Sequence, residues 1–206
     1  MLKEKVRIAV LVSGGGTGLQ ALINAQRDGI IKSGVIALVV SNTKHAYALT
    51  RAENAGIPTL VLSKVKHPTQ EAFEAALFEA LSHADIDLIV LAGFLRVLSG
   101  DFTKKYDKRI INIHPSLIPS FCGDGYYGIH VHEEALRYGV KITGATVHYV
   151  NEITDGGEII AQKAVPVLPN DTPETLQLRV MEQAEWLLLP EAAEMVSKRL
   201  LDENNA

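Results

Sequence analysis

Short, nearly unbroken apolar runs alternate along this chain with longer stretches in which apolar residues recur every three or four positions. That rhythm predicts βα units around a mostly parallel sheet, an α/β fold. Residues 6–12, 35–40, 59–62, 87–92 and 109–113 read as strands, and the fourth is so uniformly apolar that it belongs near the sheet centre. Helical spacing is clear over 69–82, where Phe73, Leu77, Ala80 and Leu81 share a face. Further helices are expected over 45–55 and from about Leu19, the latter carrying Ala21, Leu22 and Ile23. Past residue 114 the pattern changes. Residues 119–128 mix glycine with aromatics in neither period and read as a loop, followed by a short helix over 133–138. Two consecutive strands, 141–149 and 158–167, are joined through Asp155-Gly-Gly157. Asp171-Thr-Pro-Glu174 is a helix start, a capping residue with proline in the first turn. The last helical region is expected to break at Pro190, and residues 202–206 to fray. With no internal repeat or linker, one domain over 1–206 is the simplest organisation.

Composition narrows the function classes. A net charge of −4 leaves no general positive field for nucleic acid or an anionic membrane, so any phosphate must be met by local geometry. One cysteine excludes an internal disulfide. The opening Met1-Leu-Lys-Glu-Lys lacks the layout of a secretory leader, and no apolar run approaches the ~20 residues that span a bilayer. These features predict a soluble cytoplasmic protein.

Three stretches carry candidate chemistry. Ser13-Gly-Gly-Gly-Thr-Gly18, between the first strand and the first helix, exposes backbone N–H groups and aims a helix N-terminus at an anion. Its spacing is neither that of a nucleoside-triphosphate loop nor a clean dinucleotide fingerprint, since Leu19 occupies the last position. A turn that needs glycine for its conformation alone is the competing reading. Asn112-Ile-His114-Pro follows a buried strand, and alternation puts Asn112 and His114 on one face at the strand end, where open α/β sheets hold ligands. An amide and an imidazole side by side suit a developing oxyanion. Asp155-Gly-Gly157 lets the backbone pass close to another group while the aspartate orients or charges a histidine; the alternative is a plain hairpin turn. His130 and His132 have no further ligand cluster to make a metal site, and Cys122 has no base at a recognisable spacing. His148 stands where it can support a site, whereas His45, His67 and His83 are expected at the surface.

Together these motifs resemble the phosphoribosylglycinamide formyltransferases, folate-dependent enzymes of purine synthesis. The likeness runs through Val10-Leu-Val-Ser-Gly14 with the glycine loop and Leu19-Gln20, Leu91-Ala-Gly-Phe-Leu-Arg96, Asn112-Ile-His-Pro-Ser-Leu117, Gly144-Ala-Thr-Val-His148 and Asp155-Gly-Gly157. The middle motifs belong to the wider folate formyltransferase group; the glycine loop, the short length and the lack of an added domain point to the ribonucleotide enzymes within it. The resemblance implies a Rossmann-like phosphate-binding half over about 1–100 and a mixed catalytic and folate-binding half over about 101–206. It implies Asn112, His114 and Asp155 as the catalytic set, Gly16, Thr17 and Gly18 as the substrate-phosphate loop, and Glu185 as the acid that holds the ribose. Gln70, Leu95, Arg96, Val97 and Leu98, with Asn112, would form the folate site. The co-substrate would be 10-formyltetrahydrofolate and the acceptor glycinamide ribonucleotide, with no metal, nucleic acid or membrane partner. The implied mechanism is direct transfer through a tetrahedral oxyanion, with His114 protonated and Asp155 favouring that form.

Three features depart from the family pattern. Gly18 replaces a common asparagine, Gln70 an arginine found in some members, and the loop 121–128 is longer than in the shortest members. A formyltetrahydrofolate hydrolase or another folate formyltransferase with the same Asn-His-Asp set remains open. So does a non-catalytic nucleotide-binding module, although it gives no reason for Asn112, His114 and Asp155 to occur together; a dinucleotide oxidoreductase is disfavoured by the loop spacing.

Overall fold

In the computed structural model, which describes residues 3–206, seven strands form one sheet in the order β3-β2-β1-β4-β5-β6-β7. β1 (Val6–Val12), β2 (Gly34–Ser41), β3 (Thr59–Val61), β4 (Leu88–Leu91) and β5 (Ile110–His114) are parallel, whereas β6 (Ile142–Tyr149) and β7 (Ile159–Pro166) add on antiparallel. The chain leaves β1 outward to β2 and later returns to the other side of β1 with β4. That reversal is a topological switch point, and it opens a crevice at the carboxyl ends of the two strands.

Both faces of the sheet are covered, which explains the continuous apolar runs. In β1 the even positions Val6, Ile8, Val10 and Val12 pack with α1 (Thr17–Arg27), α2 (Tyr47–Asn54), α6 (Pro173–Val180) and α7 (Trp186–Asn204). The odd positions Ala9 and Leu11 face α3 (Gln70–His83) and α4 (Gly100–Lys105). The helical face predicted for 69–82 is the buried one: Phe73, Leu77 and Leu81 are fully enclosed, each worth about 1.5–3 kcal/mol of burial.

The boundaries differ from expectation in instructive ways. α1 begins at Thr17, two residues before Leu19, because Gly16 takes a left-handed conformation (φ 72°) and turns the chain straight into the helix. α5 (Ile129–Tyr138) starts before residue 133, after Gly128 at φ 57°. The six residues of α4 are too few for a visible period. The expected break at Pro190 does not occur. α7 runs through Pro190, and the irregularity lies before the helix, in a π-turn at Met181–Glu185. Nor does the tail fray as expected: α7 extends to Asn204, and the Asn205 side chain bridges to the backbone N–H and carbonyl of Lys3.

Candidate active site

Register alone brings the first polar groups together. β5 pairs with β6 so that Asn112 stands across from His148, and His114 across from Thr146. His148 Nδ1–H donates to its neighbour's carbonyl, Tyr149 O, at 2.8 Å, leaving Nε2 to accept from Asn112 Nδ2 at 3.1 Å. The loop after β6 folds back so that Asp155 reaches both strand residues, with Oδ1 3.5 Å from Asn112 Nδ2 and Oδ2 3.4 Å from His114 Nδ1. Gly157 makes this fold-back possible, since a Cβ there would lie 1.7 Å from the Tyr149 carbonyl oxygen. Asp155 itself sits at φ 53°.

The long loop after β5 completes the cluster with backbone groups. His114 Nε2–H donates to the Phe121 carbonyl at 2.8 Å, and Gly123 N–H donates to Asp155 Oδ2 at 2.9 Å. Its base is stiffened by Thr146 Oγ1, which donates to Ser116 O at 2.7 Å and accepts from Ile118 N–H at 3.1 Å. These backbone partners have no side-chain signature, so sequence reasoning missed them; His148 was visible only as a possible support.

Electrostatics within the cluster oppose one another. Burial pushes the Asp155 carboxyl up, but the polar groups around it, the His114 ring and the Gly123 N–H among them, outweigh it and hold the group below the ordinary carboxylate range. For His114, burial pulls the imidazole down further than Asp155 and the Phe121 carbonyl pull it up. Burial thus disfavours the charged ring in the free site. His132, fully buried with both ring nitrogens unpartnered, is pushed down to about 4 by burial and by the neighbouring His114. His130 faces solvent and pairs with Glu133, so the two α5 histidines do not converge. Cys122 is half-buried, its Sγ 3.4 Å from the Pro119 carbonyl, and burial raises its thiol.

Asn112, His114, His148 and Asp155 line a cleft of about 530 Å³, together with Leu95, Arg96, Val97 and Leu98. The cleft thus draws on both sides of the expected division near residue 100. Gln70 does not line it. Gln70 sits behind the loop, donating to Val97 O at 2.9 Å and to Glu74 Oε1 at 2.6 Å while accepting from Arg96 Nε at 3.1 Å. Glu74 in turn accepts from the Ser99 N–H and hydroxyl, both at 2.6 Å. Gln70 is therefore a brace for the Leu95 to Leu98 segment.

The glycine loop adjoins this region. Ser13 Oγ accepts from Leu95 N–H at 2.9 Å, tying the two loops together, and Arg51 Nε donates to Gly15 O at 2.8 Å. Gly16 is the position that demands glycine: besides its positive φ, a Cβ there would meet Ala48 Cβ at 2.5 Å. Gly18 is in the helix and packs toward Ala92 and Leu189. Thr17 lines a second cleft of about 340 Å³ between α1 and α7, while Gly16, Gly18 and Glu185 line neither. Glu185, in the π-turn, is half-buried, and burial pushes its carboxyl up to about 7. Among the described residues no three histidine, cysteine, aspartate or glutamate side chains are grouped as metal ligands, and no helix is long and apolar enough to cross a membrane.

Residues 6–192 match the formyl transferase family model. The chain belongs to that family. Among its relatives is the chloroplastic phosphoribosylglycinamide formyltransferase of Arabidopsis thaliana, 37% identical over 198 residues, 96% of this chain and 68% of that protein. Glycinamide ribonucleotide transformylase 1 of Symbiobacterium toebii superimposes with a TM-score of 0.88 at 41% identity, covering 95% of this chain and 89% of the other. The bovine trifunctional purine biosynthetic protein adenosine-3 is 44% identical over 194 residues, 94% of this chain, yet this formyltransferase chain spans only 18% of its length.

Proposed function

We infer that this family member transfers the formyl group of 10-formyltetrahydrofolate to the amine of glycinamide ribonucleotide. The observation that carries the reading is the convergence of Asn112, His114 and Asp155 in one 530 Å³ cleft beside a glycine loop that opens a helix. The substrate phosphate sits on the N–H groups of Gly16, Thr17 and Gly18 at the start of α1, and Glu185 accepts from the ribose hydroxyls. The folate lies against Leu95 to Leu98.

The substrate amine attacks the formyl carbon, the new C–N bond forms, and the carbonyl oxygen becomes an anion. Asn112 has two amide N–H groups: one is held by His148 at 3.1 Å, and the other, only loosely held by Asp155 Oδ1 at 3.5 Å, turns to that oxygen. The second donor is His114 Nδ1–H, formed when the ring takes a proton from solvent as the substrates bind, while Nε2–H stays on the Phe121 carbonyl. Burial disfavours the charged ring in the free site, and the developing oxyanion next to it supplies the missing counter-charge, so the stabilisation grows as the transition state is reached. Asp155 holds His114 and, through water, receives the proton lost by the attacking amine. The oxyanion then re-forms the carbonyl, and the folate nitrogen leaves with the electron pair of the broken C–N bond and takes up the proton that Asp155 received. No covalent enzyme intermediate is formed.

The test is to follow folate deformylation with and without glycinamide ribonucleotide and to identify the formylated product. Consumption that requires the ribonucleotide is expected. Equal turnover with water alone would make the protein a hydrolase and overturn the reading.

A further inference from the structure

Four large apolar side chains at the 530 Å³ cleft stand open to solvent: Leu95 and Val97, each 65% exposed, with Tyr127 and Ile153, each 62% exposed. They come from three separate loops, after β4, after β5 and after β6. None takes part in the polar cluster. An apolar rim assembled from three loops around a polar floor marks a surface that a ligand covers.

Tyr127 is set apart from its neighbour. The Tyr126 ring packs at 6.4 Å from Phe121 and 6.0 Å from the His130 ring, which pins the loop down. Tyr127 follows it between Gly125 (φ 90°) and Gly128 (φ 57°), two positive-φ positions that turn the chain out again. The base of the same loop is fixed where the Phe121 carbonyl holds His114 and Gly123 N–H holds Asp155. Tyr127 is thus presented at the cleft on an anchored support.

We propose that Tyr127 is a co-substrate-contacting, specificity-determining residue, its ring completing an apolar clamp with Leu95, Val97 and Ile153 over the flat aromatic section of the reduced folate. The inference rests on the proposed function for the identity of the co-substrate. A phenol ring beside branched aliphatic side chains suits a planar aromatic partner, with the polar ends of the folate left to the floor and to solvent. The loop 121–128 thereby gains a role in co-substrate selection.

The experiment measures the Kd of 10-formyltetrahydrofolate by calorimetry in the full chain, without ribonucleotide, for wild type, Tyr127→Ala and Tyr127→Phe, with steady-state KM values alongside. Losing an aromatic contact of this kind should weaken folate binding roughly tenfold in Tyr127→Ala. The ribonucleotide KM should stay within about twofold, and Tyr127→Phe should restore most of the affinity. A folded Tyr127→Ala that binds folate like wild type overturns the proposal. So does an equal loss in Tyr127→Phe, which would assign the contact to the hydroxyl, and so does a fall in kcat with both KM values unchanged, which would make the residue structural. If wild type binds folate but formylates no ribonucleotide, the proposed function fails while the Kd comparison still decides Tyr127.

Discussion

Replacing His132 by leucine should stabilise the protein more at pH 5 than at pH 7.5. The imidazole is fully enclosed in α5, neither ring nitrogen has a partner, and its pKa is pushed down from 6.5 to about 4. On unfolding, the ring regains its ordinary value. Between pH 6.5 and about 4 the unfolded chain therefore binds a proton that the folded chain does not, so stability is full above 6.5 and falls as the pH drops through this window. At about 1.4 kcal/mol per pH unit, reaching pH 5 costs the wild type about 2 kcal/mol from this one group. Leucine carries no proton in either state, so the variant escapes that loss. Glu185 titrates in the opposite sense, because a carboxyl raised to about 7 favours the folded state most at low pH. It is present in both proteins and cancels in the comparison. Urea melts of the two at pH 7.5 and pH 5 give the four free energies required. The gap between variant and wild type should widen by about 2 kcal/mol on acidification, whatever its value at pH 7.5. Parallel curves would mean that His132 reaches water or a partner in the folded state, and the burial argument would fail.

The catalytic assignment predicts that Asn112→Ala and His114→Ala each lower kcat by about 10²–10³ with the fold intact, and that Asp155→Asn is also severe; a near-normal kcat in His114→Ala would make the histidine structural. Steady-state kinetics should also show the triple variant little worse than the worst single one, since the three act as a unit. Gly16→Ala combines a left-handed alanine, about 1–2 kcal/mol, with a clash against Ala48 that costs about 1–3 kcal/mol, so the urea midpoint should drop and the ribonucleotide KM rise more than the folate KM. An unchanged ribonucleotide KM would leave the loop a mere turn. Glu74→Ala removes the acceptor of the brace behind Leu95 to Leu98 and should raise the folate KM, with partial recovery in Glu74→Gln; equal rises in both KM values would instead indicate general loosening.

Much of the architecture was legible because its causes are local. The apolar runs of β1 and β4 and the period of α3 announce themselves, and strand alternation places Asn112 and His114 on one face without any knowledge of neighbours. What was hidden is non-local or carried by the backbone. The pairing of Asn112 with His148 depends on the β5–β6 register, which no single segment encodes. The Phe121 carbonyl and the Gly123 N–H belong to every residue type alike. Gln70 could be aligned with a ligand-binding arginine, but its direction is set by Glu74 one turn along α3. Pro190 misled because α7 continues through it, while the helical irregularity falls in the preceding π-turn, which no residue type announces.

The Gly123–Asp155 bond gives the site a built-in spectroscopic reporter. Gly123 lies in a loop whose next two residues, Asp124 and Gly125, are exposed, so its amide proton has no other reason to resist exchange with solvent deuterium. Its protection factor measures how often the loop lifts away from the carboxylate. Because the same loop holds His114 through Phe121, that one amide resonance would register the fraction of molecules in which the imidazole is released as well, independently of any turnover assay.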